Sequence, residues 1–376
     1  MKVLLISTSE RAGGGAIAAC RLRDALAAEG VDVKMMVRDK QSSNPTTVSV
    51  GNKLPKAVER LAILPFCGFS WRRMWMADTA CLGIDITDTP EYREADVVHL
   101  HWTCHGMVSM RTLEKIARSG KRVVWTLHDE WPFRGVCHYR GECRSADCRH
   151  CPVMSGDAPA RLLARKLRLY TDTHVTFVGC SRWIADLARQ AMPGADVRHV
   201  RNCIPHSIFR PMPQDEARRS LSLPLEGKTV MFCSQKITDP RKGMRYLDDA
   251  LTSLPGVSVL RVGKGGREVS DPHEMAALYS AADVFVTPSL QDNLPNTVAE
   301  ALSCGTPCVG FRTGGIPEMI DHQRTGYVAH LQDADDLAQG IRFVLAHDMR
   351  DEAAKQARMA YDEHAVAQQY ISIYRE

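Results

Sequence analysis

The sequence lacks any apolar run long enough to cross a membrane. Its longest apolar patch, residues 61–69, is interrupted by Pro65 and Gly68 and is too short for a bilayer-spanning helix. The apolar run of residues 3–6 is far shorter than the core of a secretory signal. We therefore expect a cytoplasmic protein in which most of the 13 cysteines are reduced thiols.

A large excess of one charge is also absent. The net charge of the 376 residues is +4, less than we expect of a nucleic-acid-binding protein, so nucleic acid is not an expected partner. Residues 1–205 hold 30 Lys and Arg against 21 Asp and Glu, whereas the remainder holds 18 against 23. A basic first part and an acidic second part suggest two domains with different partners.

Strand and helix patterns alternate along the chain, then restart after a Pro-rich and charged stretch at 205–227. The strands are near-continuous Val, Ile and Leu runs, which indicates parallel sheets covered on both faces. We predict an α/β protein with two doubly wound Rossmann-like domains, residues 1–205 and 206–376, facing each other across a cleft. A helix at about 362–376 could pack back on the first domain. Ligands of such sheets bind at the carboxyl ends of the strands.

Glycines follow two of the predicted strands, but the dinucleotide fingerprint G-x-G-x-x-G is missing. Gly13, Gly14 and Gly15 follow the first strand and would let the backbone approach a phosphate or an acceptor. This signal is weak because any Rossmann-like first turn needs glycine. The loop that begins at Gly263 also follows a strand and could border a nucleotide.

The segment 288–311 combines a polar turn with a helix that begins near Asn296 and Thr297. The helix start offers backbone N–H groups and a positive dipole end, which together form an anion site. Asp292 in the turn could reach a sugar ring, and Glu300 in the helix could accept hydrogen bonds from ribose hydroxyls. The spacing fits equally well a simple cap at Asn296 and a solvated Glu300.

Two lysines follow the first strand of the second domain. Lys236 and Lys242 are six residues apart, where a strand ends and a helix begins. Two cations at this edge could neutralise a leaving diphosphate, a role that a metal ion fills elsewhere. The alternative is a pair of solvated lysines.

These motifs occur in the order typical of the family-4 retaining glycosyltransferases, and the chain resembles that family over most of its length. The resemblance implies the GT-B fold of two Rossmann-like domains. It also implies a nucleotide-diphosphate sugar donor bound by the second domain and retention of the anomeric configuration without a catalytic metal. In the family, the acid at the position of Asp292 contacts the donor sugar and the one at Glu300 holds the ribose. The resemblance extends nucleotide binding to the intervening turn and helix start, namely Asn293, Leu294, Asn296 and Thr297.

The resemblance also assigns a role to His128, which directly follows the strand 122–127. In the family a histidine at this point contacts the transferred sugar, although a lone histidine is often structural. We predict that His128, Lys236, Lys242 and Asp292 are catalytic. The acceptor is expected on the basic first domain. By analogy it is a glycan or a lipid-linked sugar of bacterial polysaccharide biosynthesis.

Four cysteines fall within one polar loop: Cys137, Cys143, Cys148 and Cys151. Four thiolates in a reducing compartment fit a tetrahedral zinc site, and the last pair has the C-x2-C spacing of such sites. His138 or His150 could replace one thiolate. Reduced thiols without metal and disulfides are the alternatives.

Residues 54–76 mix basic and aromatic side chains, including Lys56, Arg60, Arg72 and Arg73. Such a composition suits a membrane surface or a lipid-phosphate acceptor, and would place the protein on the inner face of the plasma membrane. An ordinary helix packed on the first domain explains the pattern as well.

Two other functions remain open at this point. One is a nucleotide-sugar epimerase on the same scaffold, which the lack of a further acid/base pair disfavours. The other is a non-catalytic, zinc-bearing binding protein, which the modest net charge disfavours if the ligand is nucleic acid.

Overall fold

The structure, a computed structural model, describes residues 1–51, 53–141 and 143–376. The chain forms two compact units. The first unit contains Met1–Val200 together with Val366–Glu376, and the second contains Arg201–Ala365.

The first unit is built on a seven-stranded parallel sheet with the order β3-β2-β1-β4-β5-β6-β7. Its strands are β1 Lys2–Ser9, β2 Asp32–Asp39, β3 Thr47–Ser49, β4 Val97–Leu100, β5 Arg122–Leu127, β6 Val175–Gly179 and β7 Asp196–His199. Strands β4, β5 and β6 are almost completely buried, as expected for Val- and Leu-rich parallel strands with covered faces.

Within the described residues, seven helices connect these strands. They are α1 Gly14–Ala28, α2 Leu54–Ile63, α3 Trp71–Met76, α4 Pro90–Glu94, α5 Met110–Ala117, α6 Ala158–Asp172 and α7 Arg182–Ala191. The starts of α3, α4, α5 and α7 are each fixed by a Ser or Thr side chain that accepts a hydrogen bond from a first-turn N–H group.

A long loop joins the end of β5 to α6. After a short 3-10 helix, Trp131–Phe133, the described residues 134–141 and 143–157 contain no helix or strand. Their one ladder contact is an isolated bridge between Cys137 and Ala77. Loops of this length without secondary structure are uncommon in compact domains.

The second unit has a five-stranded parallel sheet with the order β12-β11-β10-β8-β9. Its strands are β8 Lys228–Lys236, β9 Val257–Lys264, β10 Val284–Thr287, β11 Cys308–Phe311 and β12 Gly326–Ala329. Its helices are α8 Gln214–Ser220, α9 Met244–Leu251, α10 Pro272–Ala281, α11 Asn296–Ser303, α12 Ile316–Met319, α13 Ala334–Ala346 and α14 Arg350–Ala360.

The Pro-rich and charged stretch at 205–227, after which the strand and helix patterns restart, contains helix α8 and belongs to the second unit. Its buried Arg218 donates to the carbonyl oxygen of Ala281 at 3.1 Å and pairs with Asp283 at 2.8 Å. The prolines and charges of this stretch did not indicate helix α8, and one of the charged residues, Arg218, is buried inside the unit.

A last helix, α15 Glu363–Arg375, runs into the first unit from Val366 onward. The Tyr374 hydroxyl lies 2.7 Å from Nδ1 of His99 on β4, and the Tyr370 hydroxyl lies 2.9 Å from Oγ1 of Thr126 on β5. The His99 ring also contacts Thr126 at 2.8 Å. These hydroxyls therefore satisfy polar groups buried in the middle of the sheet.

Candidate active site

In the second unit, helix α11 presents an N-terminus without a side-chain cap. The capping position is Pro295, and the first turn of the helix has no acidic residue. Asn296 is not the cap, so that interpretation of the sequence is wrong. Its side-chain oxygen instead accepts a hydrogen bond from the Asn202 amide at 3.0 Å. Because Pro295 supplies no side-chain cap and the first turn has no acid, the positive dipole of this helix end can contribute to binding of an anion.

Asp292, in the turn before α11, pairs with Lys242. The Lys242 Nζ lies 2.5 Å from Oδ2 of Asp292, and Asp292 is buried. Burial alone would raise the pKa of Asp292, but the positive charges of Lys242 and Arg241 hold this pKa below its usual value. Arg241 also donates to the backbone oxygen of Gln291 at 2.8 Å and so fixes the turn.

Gly243 allows the turn after β8 to approach the strand end of β10. Its φ of 71° is left-handed, and a Cβ at this position would lie only 1.8 Å from the carbonyl oxygen of Pro288. A side chain could not be accommodated, because that oxygen belongs to the backbone. The contact carries Lys242, the preceding residue, to the turn that contains Asp292.

Lys236 differs from Lys242 in its surroundings. It ends β8, pairs in register with Lys264 on β9 and is exposed to solvent. The two lysines thus lie at the same carboxyl edge of the sheet, but only Lys242 forms an ion pair with an acid of the turn. The two predicted cations are therefore not equivalent.

Glu300 is buried on α11 and does not lie on a solvated face. One of its carboxylate oxygens accepts a hydrogen bond from the hydroxyl of Tyr279 at 2.9 Å. Burial and the neighbouring Glu300 charge both raise the pKa of Tyr279 well above its usual value, so Tyr279 stays protonated and can donate. The alternative of a solvated Glu300 is wrong.

The other residues predicted to bind the nucleotide lie along the same edge. Asn293 and Leu294 are buried in the turn before α11, and Thr297 is half-buried in its first turn. Gly263 lies near the end of β9, where its N–H donates to the carbonyl oxygen of Arg267 at 2.8 Å and closes a short loop. The second unit therefore collects the predicted donor-binding residues at one edge of its sheet.

In the first unit, His128 directly follows β5 and contacts the Gly-rich turn. A Cβ on Gly15 would lie 3.0 Å from Cγ of the His128 ring, so glycine is what lets α1 begin this close to the ring. Gly14 is the first residue of α1. The Nε2 atom of His128 lies 3.0 Å from Nδ1 of His101, which follows β4. His128 and the glycines therefore meet at the carboxyl edge of this sheet.

Burial lowers the pKa of His128 to about 4, and the adjacent Asp129 opposes that shift only in part. The imidazole is therefore neutral at pH 7. A neutral ring can donate one hydrogen bond and accept another, which suits contact with a sugar hydroxyl better than delivery of a proton.

Asp129 is the centre of a network that sequence reasoning missed. Its carboxylate accepts hydrogen bonds from the Trp102 indole at 2.8 Å and from the Trp131 backbone N–H at 3.0 Å. Nδ1 of His138 lies 2.8 Å from the same carboxylate. The HDEW stretch hinted at an acid here, but its partners lie 27 and 9 residues away and cannot be identified from local sequence.

The four loop cysteines surround one small cavity in the first unit. Cys137, Cys143, Cys148 and Cys151 all line it, together with Arg134, Arg140 and Ser145. His138 turns away toward Asp129. Among the described residues, a different set brings three potential metal ligands within 4.8 Å of one another, namely Asp78, Cys104 and His138. The spacing of these three residues in the sequence did not predict a metal site.

The segment 54–76 exposes an unusual number of large apolar side chains. Leu61 is 68% exposed, Phe69 72% and Trp71 64%, and Arg72 and Arg73 next to them are also exposed. We call these five residues, with Leu54 and Phe66, the 54–76 patch. Across the described ranges, no helix combines the length and apolarity needed to cross a bilayer.

Arg60 does not contribute to the charge of this surface. It is buried, and its guanidinium donates to the carbonyl oxygens of Met74 at 2.7 Å and Ala77 at 2.6 Å. Lys56 is half-buried. The basic character of the 54–76 patch therefore comes from Arg72 and Arg73 and not from all four predicted residues.

Each unit is thus a parallel α/β sheet of the Rossmann-like class, and the predicted site residues lie at the carboxyl edge of the strands, where ligands of such sheets bind. Residues 12–207 match the family described as Glycosyltransferase Family 4, and residues 227–347 match the family described as Glycosyl transferases group 1. The first match covers more than half of the chain. The chain therefore belongs to glycosyltransferase family 4.

Similar proteins agree with this assignment. The D-inositol 3-phosphate glycosyltransferase of Mycolicibacterium smegmatis is 25% identical over 360 residues, which cover 85% of this chain and 76% of that protein. The sucrose-phosphate synthase of Thermosynechococcus elongatus has a similar structure, with a TM-score of 0.68, 19% identity and coverage of 100% and 98% of the two chains. Anabaena HepE in complex with UDP-glucose gives a TM-score of 0.64 at 15% identity, covering 99% and 98%.

These comparisons confirm the predicted α/β fold of the GT-B type and the predicted class, a glycosyltransferase enzyme. The epimerase and the binding-protein alternatives are not supported.

Proposed function

We propose that the protein is a retaining glycosyltransferase that transfers a sugar from a nucleotide-diphosphate donor to a glycan or lipid-linked acceptor in bacterial polysaccharide biosynthesis. The observation that carries the donor assignment is the arrangement around α11. An uncapped helix N-terminus follows a buried acid, Asp292, that is paired with Lys242. This combination offers positive charge for phosphates and a carboxylate for a sugar hydroxyl.

The diphosphate would be held by the N–H groups at the start of α11 and by the ammonium groups of Lys242 and Lys236. As the glycosidic bond breaks, negative charge grows on the leaving diphosphate, and fixed positive groups stabilise that charge in the transition state. We expect these groups to replace a divalent cation in the chemical step. Asp292 would orient the sugar through its hydroxyls.

Glu300 would hold the ribose of the donor. Its carboxylate is already fixed by Tyr279, so it is oriented before a nucleotide arrives and loses little freedom on binding. In the first unit, the neutral His128 would contact the transferred sugar. The acceptor would bind near His128 and the turn containing Gly14 and Gly15, at the carboxyl edge of the first sheet.

The 54–76 patch supports a lipid-linked acceptor. Exposed aromatic and aliphatic side chains beside Arg72 and Arg73 suit insertion into the headgroup region of an anionic membrane. We therefore place the enzyme at the inner face of the plasma membrane as a peripheral protein. A small phosphorylated acceptor is the second candidate. The similarity to the D-inositol 3-phosphate glycosyltransferase of Mycolicibacterium smegmatis favours it.

The donor assignment is tested by a thermal-shift screen of nucleoside diphosphates and nucleotide sugars. A bound donor stabilises the folded protein by mass action, so the matching nucleotide should raise the melting temperature in a concentration-dependent way. Product formed from that donor is then examined by NMR. An α-linked product from an α-linked donor supports retention, whereas an inverted product contradicts it.

The membrane assignment is tested by sedimentation with vesicles. Wild-type protein should bind vesicles that contain an anionic phospholipid and bind neutral vesicles much less. Phe69→Glu with Trp71→Glu should abolish binding to the anionic vesicles. Met359→Glu is a matched control, because Met359 is 77% exposed but lies on α14 of the second unit. Equal binding by the double variant and the control would contradict the assignment.

A further inference from the structure

We propose that Cys137, Cys143, Cys148 and Cys151 bind one zinc ion, which holds the long loop after β5 in place and thereby positions the strand end that carries His128. This inference goes beyond the glycosyltransferase activity and does not depend on the identity of the donor.

The four side chains converge although they are spread over 15 residues. All four line the same small cavity, and four of the seven residues that line it are cysteines. Cys137 and Cys148 are buried, while Cys143 and Cys151 are half-buried. Four cysteines around one small cavity match the ligand number of a structural zinc site, where zinc takes four thiolates in a tetrahedron.

The backbone of the C-x2-C pair is also preformed. Cys148 has a φ of 59°, a left-handed conformation that is uncommon for a residue with a side chain. It is nevertheless buried, with its side chain on the cavity. Such a conformation costs free energy and persists only where the surroundings stabilise it, and a metal–sulfur bond is a sufficient stabilisation.

Closure around an ion would still require movement of the thiols. No three of the four sulfur atoms are among the ligand groups whose atoms lie within 4.8 Å of one another in the described residues. We expect rotation of the side chains toward the shared cavity to bring the sulfurs closer, since all four cysteines line it. Zinc binding would then draw the loop together.

A metal ion would add a link to a loop that lacks regular structure. Apart from one isolated bridge between Cys137 and Ala77, its described residues 134–141 and 143–157 form no helix or strand. Yet it supplies His138, whose ring lies 2.8 Å from Asp129 and whose carbonyl oxygen accepts from the Glu130 N–H at 2.8 Å. Asp129 directly follows His128. A loop fixed by zinc would therefore fix the residues that flank His128.

The first experiment measures metal in the full-length protein purified without chelator. We expect about one zinc per chain. Replacement by cobalt(II) should give the intense sulfur-to-cobalt charge-transfer absorption of a four-thiolate site. That absorption scales with the number of thiolates, so the set Asp78, Cys104 and His138, with one thiol, would give a much weaker band. A weak band, or no metal after incubation with zinc under reducing conditions, would overturn the proposal.

The second experiment compares variants. Cys148→Ser with Cys151→Ser should lose the zinc, whereas Cys104→Ser should retain it at the wild-type level. Retention by the loop variant and loss by Cys104→Ser would assign the ion to the other set and overturn the proposal. If the loop variant does not fold, the reactive thiols of the native wild-type protein are counted instead. The four loop thiols should become reactive only after chelation. Finding these cysteines in disulfides would contradict the zinc site.

The third readout separates structure from chemistry. Chelation should lower the melting temperature of the protein and increase proteolytic cleavage within residues 134–157, while affinity for a nucleoside diphosphate stays unchanged. The donor-binding residues belong to the second unit, so their function does not require the loop. Unchanged melting temperature and unchanged cleavage after removal of one zinc would contradict a structural role.

Discussion

Lys242 and Asp292 form an ion pair in which the ammonium nitrogen lies 2.5 Å from a carboxylate oxygen, although the residues are 50 positions apart. The pair stands next to the N-terminus of α11, where we place the diphosphate of the donor. In this arrangement Asp292 already neutralises Lys242. A phosphate that binds Lys242 must therefore compete with Asp292 or share the lysine with it.

The first prediction follows from this competition. Asp292→Asn removes a negative charge beside the phosphate site and releases Lys242, so affinity for the bare nucleoside diphosphate should stay equal or increase. Turnover should fall strongly, because the carboxylate that orients the sugar is lost. Calorimetric titration and initial-rate kinetics measure the two effects. Weaker diphosphate binding would show that Asp292 supports the phosphates instead.

The second prediction concerns the unequal lysines. Lys242→Ala should raise the activation free energy by about 2–4 kcal/mol, the range for loss of one preorganised electrostatic contact. Lys236→Ala should have a smaller effect, since Lys236 is exposed and water screens its charge. The exposed Lys355 on α14 provides a control of equal charge. Rates of Lys242→Ala and Lys355→Ala that agree within threefold would remove Lys242 from the mechanism.

The third prediction tests the ribose contact. Glu300→Gln keeps the shape of the side chain but loses its charge, so affinity for the nucleoside diphosphate should fall by about 10- to 100-fold, as expected for a hydrogen bond to a charged group. Glu216→Gln, on the exposed surface of α8, is the matched control. Unchanged affinity in a folded Glu300→Gln protein would make Glu300 a structural partner of Tyr279 only.

The fourth prediction concerns His128. It belongs to the first unit, whereas the groups proposed for the diphosphate belong to the second. His128→Ala should therefore lower kcat strongly and leave affinity for the bare nucleoside diphosphate nearly intact, since its contact is with the sugar. The exposed His174→Ala serves as the control. Weak diphosphate binding with normal turnover at saturation would instead place His128 at the nucleotide.

The fifth prediction concerns acid stability. Burial, with a smaller effect of His128, lowers the pKa of His99 from 6.5 to about 3. Below about pH 6.5, His99 is protonated in the unfolded chain but stays neutral in the folded protein. The free energy of unfolding therefore decreases as the pH falls toward 3. His99 alone should cost about 2 kcal/mol between pH 6.5 and pH 5. In urea unfolding, His99→Gln should make the free energy of unfolding depend less steeply on pH in this range. His174→Gln should leave that slope unchanged.

The sequence was sufficient where the signal is local. The buried strands are continuous Val, Ile and Leu runs, so the fold class could be predicted. The turn with Asp292 and the helix with Glu300 form a recognisable motif, so their place at the carboxyl edge of the second sheet could also be predicted. The short strands β3 and β12 and the helix α8 were missed. β3 (Thr47–Ser49) and β12 (Gly326–Ala329) lack the continuous Val, Ile and Leu run by which the other strands were recognised, and the prolines near α8 masked a helix.

The contacts that define the chemistry were not accessible in this way. The Lys242–Asp292 pair and the His138–Asp129 contact join residues that only the folded chain brings together. Likewise, nothing in the basic segment shows that Arg60 points inward to backbone carbonyls while Arg72 and Arg73 remain exposed. Side-chain direction depends on tertiary packing, which periodicity alone does not encode.

Helix α15 has a consequence for the way the chain is made. During synthesis, residues 1–200 leave the ribosome long before the residues that follow Val366, so the first unit cannot receive the hydroxyls of Tyr370 and Tyr374 until the second unit has been translated. Until then, His99 and Thr126 lack two of their hydrogen-bond partners in the centre of the sheet. The first unit therefore cannot complete these hydrogen bonds before the residues that follow Val366 have been synthesised.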